Sequence, residues 1–249
     1  MPSPNSLNPT PDIHLILFDV GATLVDPHPS AQELVLRTLN QHGLHLGQED
    51  LSRAEPAAWK AVAGLMPFQR YGQEESRAFW DEFYRALLEG LGQADNPALR
   101  AALYTEFQRL ENWRLYPDVV PALQELRQQG YRLGVVSNWE EWLEELLLAL
   151  EVHQLFDVIV ASGPFGRAKP HPSIFARALE LAEVAAAQAV HVGDSLREDV
   201  QGARATGLRP ILIDRRGRYP EADVERITSP AQLPALLGQP RRRAFFLSS

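Results

Sequence analysis

The sequence predicts an α/β protein with a Rossmann-like, doubly wound parallel sheet as its core and an inserted all-helical cap domain. Two observations predict the core. First, short apolar runs bounded by turn residues alternate with helical patterns. Second, candidate catalytic or metal-binding polar residues follow several of these runs. A third observation predicts the cap, because residues from about 30 to 112 show helical patterns only.

Five short apolar runs are predicted as buried strands of a parallel sheet. The first, IHLILF, lies between Pro11-Asp12 and Gly21, which are residues typical of turns. The five runs cover residues 13–18, 132–136, 158–161, 189–192 and 210–213. The crossovers between these strands should be right-handed.

Helical patterns fill the intervals between the later strands. Asp118 is predicted as the N-cap of the first of these helices, Pro121 lies in its first turn, and Gly130 ends it. Further helices are predicted at residues 140–150, 173–181 and 197–205. This order of elements divides the core into residues 12–27 and 113–237.

The cap is predicted to span residues 28–112, between hinges near 26–29 and 112–117. Its helices should cover 31–42, 51–63, 74–91 and 98–111, with breaks at 64–72 and 92–97. Phe79, Trp80, Phe83 and Tyr84 recur at helical spacing and are predicted to form the core of the cap. The termini, residues 1–11 and 238–249, are predicted to be flexible.

Composition excludes several classes of function. The 249 residues carry 24 basic and 32 acidic side chains, and the net charge of −8 argues against a general nucleic-acid-binding surface. The absence of cysteine excludes disulfides, a thiol nucleophile and cysteine-ligated zinc. No apolar run approaches the roughly 20 residues of a membrane span, and residues 1–11 lack the features of a signal peptide. We therefore expect a cytoplasmic protein without a membrane partner; the sequence does not predict its oligomeric state.

Polar and charged side chains of the kinds that bind metals or take part in catalysis cluster at the predicted carboxyl ends of the strands. In an open parallel sheet ligands bind at this edge, near a switch in strand order. Single aspartates there often cap helices, but capping does not account for the whole set. Three crowded carboxylates repel, and Mg²⁺ relieves that repulsion while favouring oxygen ligands. A carboxylate beside Mg²⁺ and a lysine can attack phosphorus. The residues concerned are Asp19, Ser137, Asn138, Lys169, Asp194 and Asp199.

Four stretches together resemble the haloacid dehalogenase superfamily. They are FDVGATL (18–24), VVSN (135–138), AKPHPSIF (168–175) and HVGDSLREDVQGARATG (191–207). The chain is similar to subfamily I members with a helical, C1-type cap. The segment from Trp113 to Asp118, WRLYPD, is closest to the rhythmically-expressed-gene-two-like branch. The resemblance implies a Mg²⁺-dependent hydrolase, chiefly a phosphatase that acts on a small phosphorylated metabolite.

The resemblance also implies a role for each motif residue. Asp19 would be the nucleophile that carries a phospho-aspartate, Lys169 would neutralise charge, and Ser137 would hold the phosphoryl group. Asp199 would orient either a metal-bound water or Lys169. The implied phosphate-binding residues are Ser137, Asn138, Lys169 and Thr23, with Thr23 also holding the shape of its loop. The implied metal ligands are Asp19, the backbone carbonyl of Gly21, Asp194 and Asp199.

Two lysines, Lys60 and Lys169, occur in a chain that otherwise uses arginine. A lysine kept at the motif position indicates a need for a compact charge there.

Gly21 departs from the pattern of phosphatases in this superfamily. These enzymes usually have a second aspartate at that position, which protonates the leaving oxygen, and such acid–base help contributes about 10²- to 10⁴-fold. One alternative is a phosphatase that obtains its proton elsewhere. Others are a phosphonoacetaldehyde-hydrolase-like enzyme that uses Lys60 as a Schiff base, a dehalogenase, and a catalytically impaired protein that binds phosphate compounds. The retained Asp194 and Asp199 argue against a dehalogenase.

Overall fold

The computed structural model describes residues 12–65 and 73–238, and its central feature is a sheet of six parallel strands. The strand order is β5-β4-β1-β6-β7-β8, while β2 and β3 form a separate antiparallel ribbon. The predicted flexible termini (apart from residue 238) and residues 66–72 of the predicted break lie outside the described residues. The strands are β1 (Leu15–Phe18), β2 (Val25–Pro27), β3 (Trp113–Leu115), β4 (Arg132–Ser137), β5 (Val158–Ala161), β6 (Ala189–Gly193), β7 (Arg209–Ile213) and β8 (Glu225–Ile227).

Helices cover both faces of the sheet, which confirms the doubly wound α/β fold. Ile16 and Phe18 pack in one apolar cluster with residues of α5 and α6, whereas Leu15 and Leu17 pack in another with residues of α8. Alternate side chains of β1 therefore enter opposite layers, as a strand buried on both faces requires. The helices of the core are α5 (Val119–Gln128), α6 (Leu143–Ala149), α7 (Ser162–Phe165), α8 (Pro172–Ala182), α9 (Gly202–Thr206) and α10 (Leu233–Leu237); four others precede them in the chain, α1 (Ala31–Gln41), α2 (Gln48–Val62), α3 (Gln73–Gly90) and α4 (Pro97–Phe107).

The four helices α1–α4, here called the insert helices, share an apolar cluster of their own. Phe79, Phe83 and Tyr84 are buried in that cluster, and Trp80 packs against it. The ring of Trp80 makes edge contacts with Phe79 and Phe83 at centroid distances of 5.2 and 5.6 Å. The aromatic residues at helical spacing thus hold the insert helices together. Within the two described ranges, no helix combines the length and apolar character that a membrane crossing requires.

The two segments predicted as hinges pair with each other. Val25, Asp26 and Pro27 of β2 lie opposite Leu115, Arg114 and Trp113 of β3. Both connections between the core and the insert helices therefore run side by side through one ribbon. Strands of three residues are too short to show an alternating pattern, and β2 also contains a proline, so the sequence did not predict this ribbon.

Three local details of the core differ from what the sequence predicts or were not predicted at all. The helix predicted at 197–205 begins as a wide, π-type turn, Leu196–Gln201, because the Ser195 carbonyl accepts from the amides of both Asp199 and Val200, at 3.1 Å each. The edge strand β8 was not predicted, since only Ile227 in it is apolar and buried. Asp118 occupies the predicted N-cap position of α5, but its side chain makes no capping bond and its carboxylate accepts from Arg215 at 3.0 Å instead.

Candidate active site

The candidate catalytic side chains meet at the carboxyl edge of the sheet, where the strand order switches around β1. Asp19 directly follows β1, Ser137 ends β4, and Asp194 follows β6. The chain runs from β1 through the insert helices to β4 on one side and later returns to β6 on the other. This is the position at which open α/β sheets bind ligands.

Lys169 joins two buried carboxylates. Its Nζ lies 2.7 Å from Asp19 Oδ1 and 2.6 Å from Asp199 Oδ1, and its side chain is 1% exposed. Ser137 Oγ donates to the same Asp19 oxygen at 2.8 Å. Oδ1 of Asp19 is thus fixed by two donors, one at the end of β4 and one in the loop before α8, which leaves the carboxylate little freedom to rotate.

Asn138 holds the loop that carries Lys169. Its Oδ1 accepts from the Lys169 amide at 2.6 Å, and its Nδ2 donates to the Lys169 carbonyl at 3.0 Å and to Glu198 at 3.2 Å. The structure therefore gives the Asn138 side chain a supporting contact that the sequence did not predict. The phosphate-binding role predicted for its backbone amide is compatible with this contact.

Burial and repulsion shift the pKa values of the site. Burial alone would lower the pKa of Lys169, but Asp19 and Asp199 outweigh it and raise that pKa. Burial alone would raise the pKa of Asp199, yet Lys169 and His191 hold it well below the ordinary value. Burial raises the pKa of Asp19, and burial together with the charges of Asp19 and Asp199 raises the pKa of Asp194 to about 6. Lys169 thus stabilises the negative charge of Asp199, whereas the negative charges of Asp19 and Asp194 are not fully compensated by nearby positive groups.

A divalent cation fits this shortage of charge. Asp19, Asp194 and Asp199 each offer a carboxylate oxygen, and these atoms lie within 4.8 Å of one another. Both oxygens of Asp199 already accept hydrogen bonds, Oδ1 from Lys169 and His191 and Oδ2 from the Ser195 amide. Asp19 and Asp194 are therefore better placed as direct ligands. Oxygen donors of this kind suit Mg²⁺.

Gly21 and Thr23 lie in the loop between β1 and β2. A Cβ added at Gly21 would lie 3.5 Å from Trp139 Cζ3, which is an ordinary contact distance. Thr23 is fully buried, and its hydroxyl has no hydrogen-bond partner among the described residues. Its backbone carbonyl accepts from Arg215 at 2.9 Å, which ties this loop to the loop after β7.

Sequence reasoning assigned no role to three residues at the site. His191 is fully buried in β6, and its Nε2 lies 2.8 Å from Asp199 Oδ1. Arg218, in the loop after β7, donates to Asp194 Oδ2 at 2.8 Å. Burial, only partly offset by Lys169, raises the pKa of Glu198 to about 7. His191 is the first residue of the HVGDSLREDVQGARATG stretch and lies in the apolar run of β6. A polar residue within a predicted buried strand was the one feature of the sequence that could have indicated a role for it.

Glu140 connects the loop after β4 to the insert helices. Its buried carboxylate accepts from Tyr104 Oη at 2.7 Å, from Gln108 Nε2 at 3.1 Å and from Trp142 Nε1 at 3.0 Å, and it also accepts from the Ser76 hydroxyl. Four neutral donors therefore replace the water that an exposed carboxylate would have. Ser76 lies in α3 and Tyr104 in α4, so the contact crosses from the core to the insert helices two residues after Asn138.

Glu140→Ala is expected to lower the free energy of unfolding by about 3 kcal/mol, because several buried donors lose their acceptor at once. Urea denaturation followed by tryptophan fluorescence measures the change. Glu141→Ala removes the same group from the exposed neighbouring position and serves as the matched control. Equal stability of the two variants would contradict the structural role of Glu140.

Comparisons with known proteins agree with this geometry. The family described as haloacid dehalogenase-like hydrolase matches residues 13–207. The chain is 34% identical over 239 residues to haloacid dehalogenase-like hydrolase domain-containing protein 3 of Xenopus laevis, covering 91% of this chain and 96% of that protein. It is 32% identical over 219 residues to glyceraldehyde 3-phosphate phosphatase of Methanopyrus kandleri, covering 85% and 88%.

A solved structure of a HAD-hydrolase from Bacillus subtilis shares the fold. The two structures superpose with a TM-score of 0.75 over 90% of this chain and 98% of that one, at 20% identity. The likeness extends over the core and the insert helices alike, since it covers nearly the whole of both chains.

Proposed function

The chain belongs to the haloacid dehalogenase-like hydrolase family, and on that premise we propose that it is a Mg²⁺-dependent phosphatase of a small phosphorylated metabolite. The observation that carries the proposal is the bridge from Lys169 Nζ to Asp19 and Asp199, with Asp194 within 4.8 Å of both. The relatives named glyceraldehyde 3-phosphate phosphatase support a small phosphorylated metabolite as the substrate.

In the proposed first step, a carboxylate oxygen of Asp19 attacks the substrate phosphorus. The bond from phosphorus to the ester oxygen breaks, the leaving oxygen takes up a proton, and a phospho-aspartate forms on Asp19. In the second step water attacks the same phosphorus, the bond to Asp19 breaks, and inorganic phosphate leaves. The leaving oxygen takes its proton from solvent water in the first step, and the attacking water returns a proton to solvent in the second. The carboxylate is restored, so water is the only other reactant of the whole cycle.

The neighbouring side chains assist both steps without changing covalently. Ser137 Oγ and Lys169 Nζ hold Asp19 in one orientation, and the ammonium group attracts the incoming phosphoryl group. Asp199 holds Lys169 in place, and His191 in turn holds Asp199. A magnesium ion held by Asp19, Asp194 and the Gly21 carbonyl would supply Lewis-acid stabilisation of the phosphoryl charge.

We further propose that the insert helices act as a cap over this edge of the sheet. The β2–β3 ribbon would be the hinge. The bonds from Tyr104 and Gln108 to Glu140 would hold the insert helices against the core in the closed state. Closure would exclude water from the site.

Hydrolysis of p-nitrophenyl phosphate, acetyl phosphate and glyceraldehyde 3-phosphate, with and without Mg²⁺, tests the proposed function. We expect phosphate release that stops when EDTA is added and returns with excess Mg²⁺. Aryl and acyl phosphates should react faster than alkyl phosphates, since Gly21 supplies no acid to the leaving oxygen. Binding of Mg²⁺ and phosphate without turnover of any compound would overturn the proposal and favour a binding protein.

Gly21→Asp is expected to raise kcat on alkyl phosphates by about tenfold or more, because it adds a carboxyl group at the position of the usual acid. The backbone admits a Cβ there without a clash, as the contact with Trp139 shows. Steady-state kinetics on glycerol 3-phosphate measures the effect, and Gly21→Asn provides the variant of matched size without acidity. If the Asn variant gains as much, acid catalysis is not the cause.

The Schiff-base alternative at Lys60 finds no support in the geometry. Lys60 lies at an exposed position of α2, whereas an amine that forms a Schiff base needs a lowered pKa, usually through burial or a neighbouring cation. The exposed position of Lys60 therefore argues against a phosphonate-cleaving activity.

A further inference from the structure

A cavity of about 360 Å³ opens beside Asp194, between the core and the insert helices. Its wall on the core side includes Tyr116 and the loop after β7, and its opposite wall includes Gln32 and Glu55 of α1 and α2. Since Asp194 belongs both to this wall and to the carboxylate cluster of the candidate active site, the cavity adjoins the reaction centre.

Three arginines of one short loop line this cavity: Arg215, Arg216 and Arg218. Gly217 has a φ of +65°, a left-handed conformation that turns the chain between the last two of them. Arg215 is fixed in the structure, because it donates to the Thr23 carbonyl at 2.9 Å and to Asp118 at 3.0 Å and lies 3.9 Å over the Tyr116 ring. Arg215 therefore shapes the wall and is not free to bind a ligand.

Arg216 and Arg218 differ from Arg215 in exposure and in the number of their partners. Their side chains are 68% and 48% exposed. Arg216 pairs with the partly exposed Asp26 at 3.1 Å, and Arg218 pairs with Asp194 at 2.8 Å. Both guanidinium groups thus remain accessible from the cavity.

A cation in the carboxylate cluster would change the pairing of Arg218, because Asp194 belongs to that cluster. The wall also carries three carboxylates, Asp26, Glu55 and Asp194, of which Asp26 pairs with Arg216 and Asp194 with Arg218. A divalent cation bound by Asp194 would compete with Arg218 for that carboxylate and would leave the Arg218 guanidinium group open to another anionic partner. That guanidinium group faces the cavity, which shares Asp194 with the candidate active site.

We propose that Arg216 and Arg218 bind a carboxylate group of the substrate, so that the enzyme prefers phosphorylated carboxylic acids to phosphate esters with uncharged leaving groups. The planar, forked guanidinium group matches the two oxygens of a carboxylate. This inference rests on the proposed phosphatase function and narrows its substrate class.

Three compounds with the same carbon skeleton test the inference: 3-phosphoglycerate, glyceraldehyde 3-phosphate and glycerol 3-phosphate, which end in a carboxylate, an aldehyde and an alcohol. We expect kcat/KM for 3-phosphoglycerate to exceed that for glycerol 3-phosphate by about tenfold or more, the usual effect of a charge-assisted hydrogen bond. Arg216→Gln and Arg218→Gln should each reduce this ratio to near one. Loss of Arg218 also removes a partner of Asp194, which would change kcat/KM for all three compounds alike. The ratio of two kcat/KM values measured with the same variant is free of that common effect.

Arg127→Gln serves as the control, since Arg127 pairs with Asp157 at 2.5 Å outside the cavity, and it should keep the full ratio. A ratio near one in the wild type, or a ratio unchanged in both cavity variants, would overturn the inference. If the wild type hydrolyses none of the three compounds, the proposed function fails. Calorimetric binding of the same compounds to the Mg²⁺-loaded protein then decides the carboxylate site separately: preference for 3-phosphoglycerate that both variants lose supports it, and equal affinity rejects it.

Discussion

Asp19→Asn is expected to lower kcat for p-nitrophenyl phosphate by at least about 10³-fold, as the loss of a covalent nucleophile does in other hydrolases. The variant should fold, because asparagine has the same shape and its oxygen can still accept from Ser137 and Lys169 at the observed distances of 2.8 and 2.7 Å. It also removes one of three crowded carboxylates, which lessens their repulsion. The loss of activity would therefore report on chemistry and not on structure.

A second measurement separates loss of the nucleophile from loss of substrate binding. Beryllofluoride forms an acyl-phosphate mimic only where an aspartate and a divalent cation are both present. We expect ¹⁹F NMR to show a bound fluoride signal for the wild type with Mg²⁺ and none for Asp19→Asn. Asp223→Asn, an exchange at an exposed position, should retain both the signal and the activity. Full activity of Asp19→Asn would show that the nucleophile has been assigned to the wrong residue.

Much of the core could be predicted because its signals are local. The run from Ile13 to Phe18 is apolar at every position but His14, as a strand covered on both faces must be. Asp19, Ser137 and Asp194 follow three such runs, and the parallel topology alone brings strand ends to one edge of the sheet. The sequence could therefore predict that these residues meet before any distance was known.

The contacts that were missed depend on residues far apart in the chain. Glu140 resembles the first residue of an acidic, amphipathic helix, and nothing local shows that Tyr104 and Gln108 will surround it. Arg218 stands in a polar loop like many others, and its pairing with Asp194 joins residues 24 positions apart. Such roles follow from how the elements pack and have no periodicity to indicate them.

Lys169→Met is expected to affect stability and activity together. Methionine approximates the length of lysine but leaves Asp19 and Asp199 without the ammonium group that contacts both. Removing one partner from a buried ion pair costs about 3–5 kcal/mol, so Tm of the metal-free protein should fall by on the order of 10 °C. Hydrolysis should fall by about 10² to 10³, since the phosphoryl group loses a preorganised positive charge. Thermal unfolding and steady-state kinetics measure the two effects.

Lys60→Met is the matched control, because Lys60 is the other lysine of the chain and lies exposed on α2. It should change neither Tm nor kcat, and a loss of activity there would revive a Schiff-base role. The double variant Lys169→Met with Asp199→Asn should regain part of the lost stability, because one uncompensated carboxylate is removed with the lysine. Mg²⁺ should raise Tm of Lys169→Met more than that of the wild type, since the ion replaces part of the missing positive charge. If neither the double variant nor Mg²⁺ restores stability, the cost lies in packing around residue 169, and Lys169 does not hold the site together by charge.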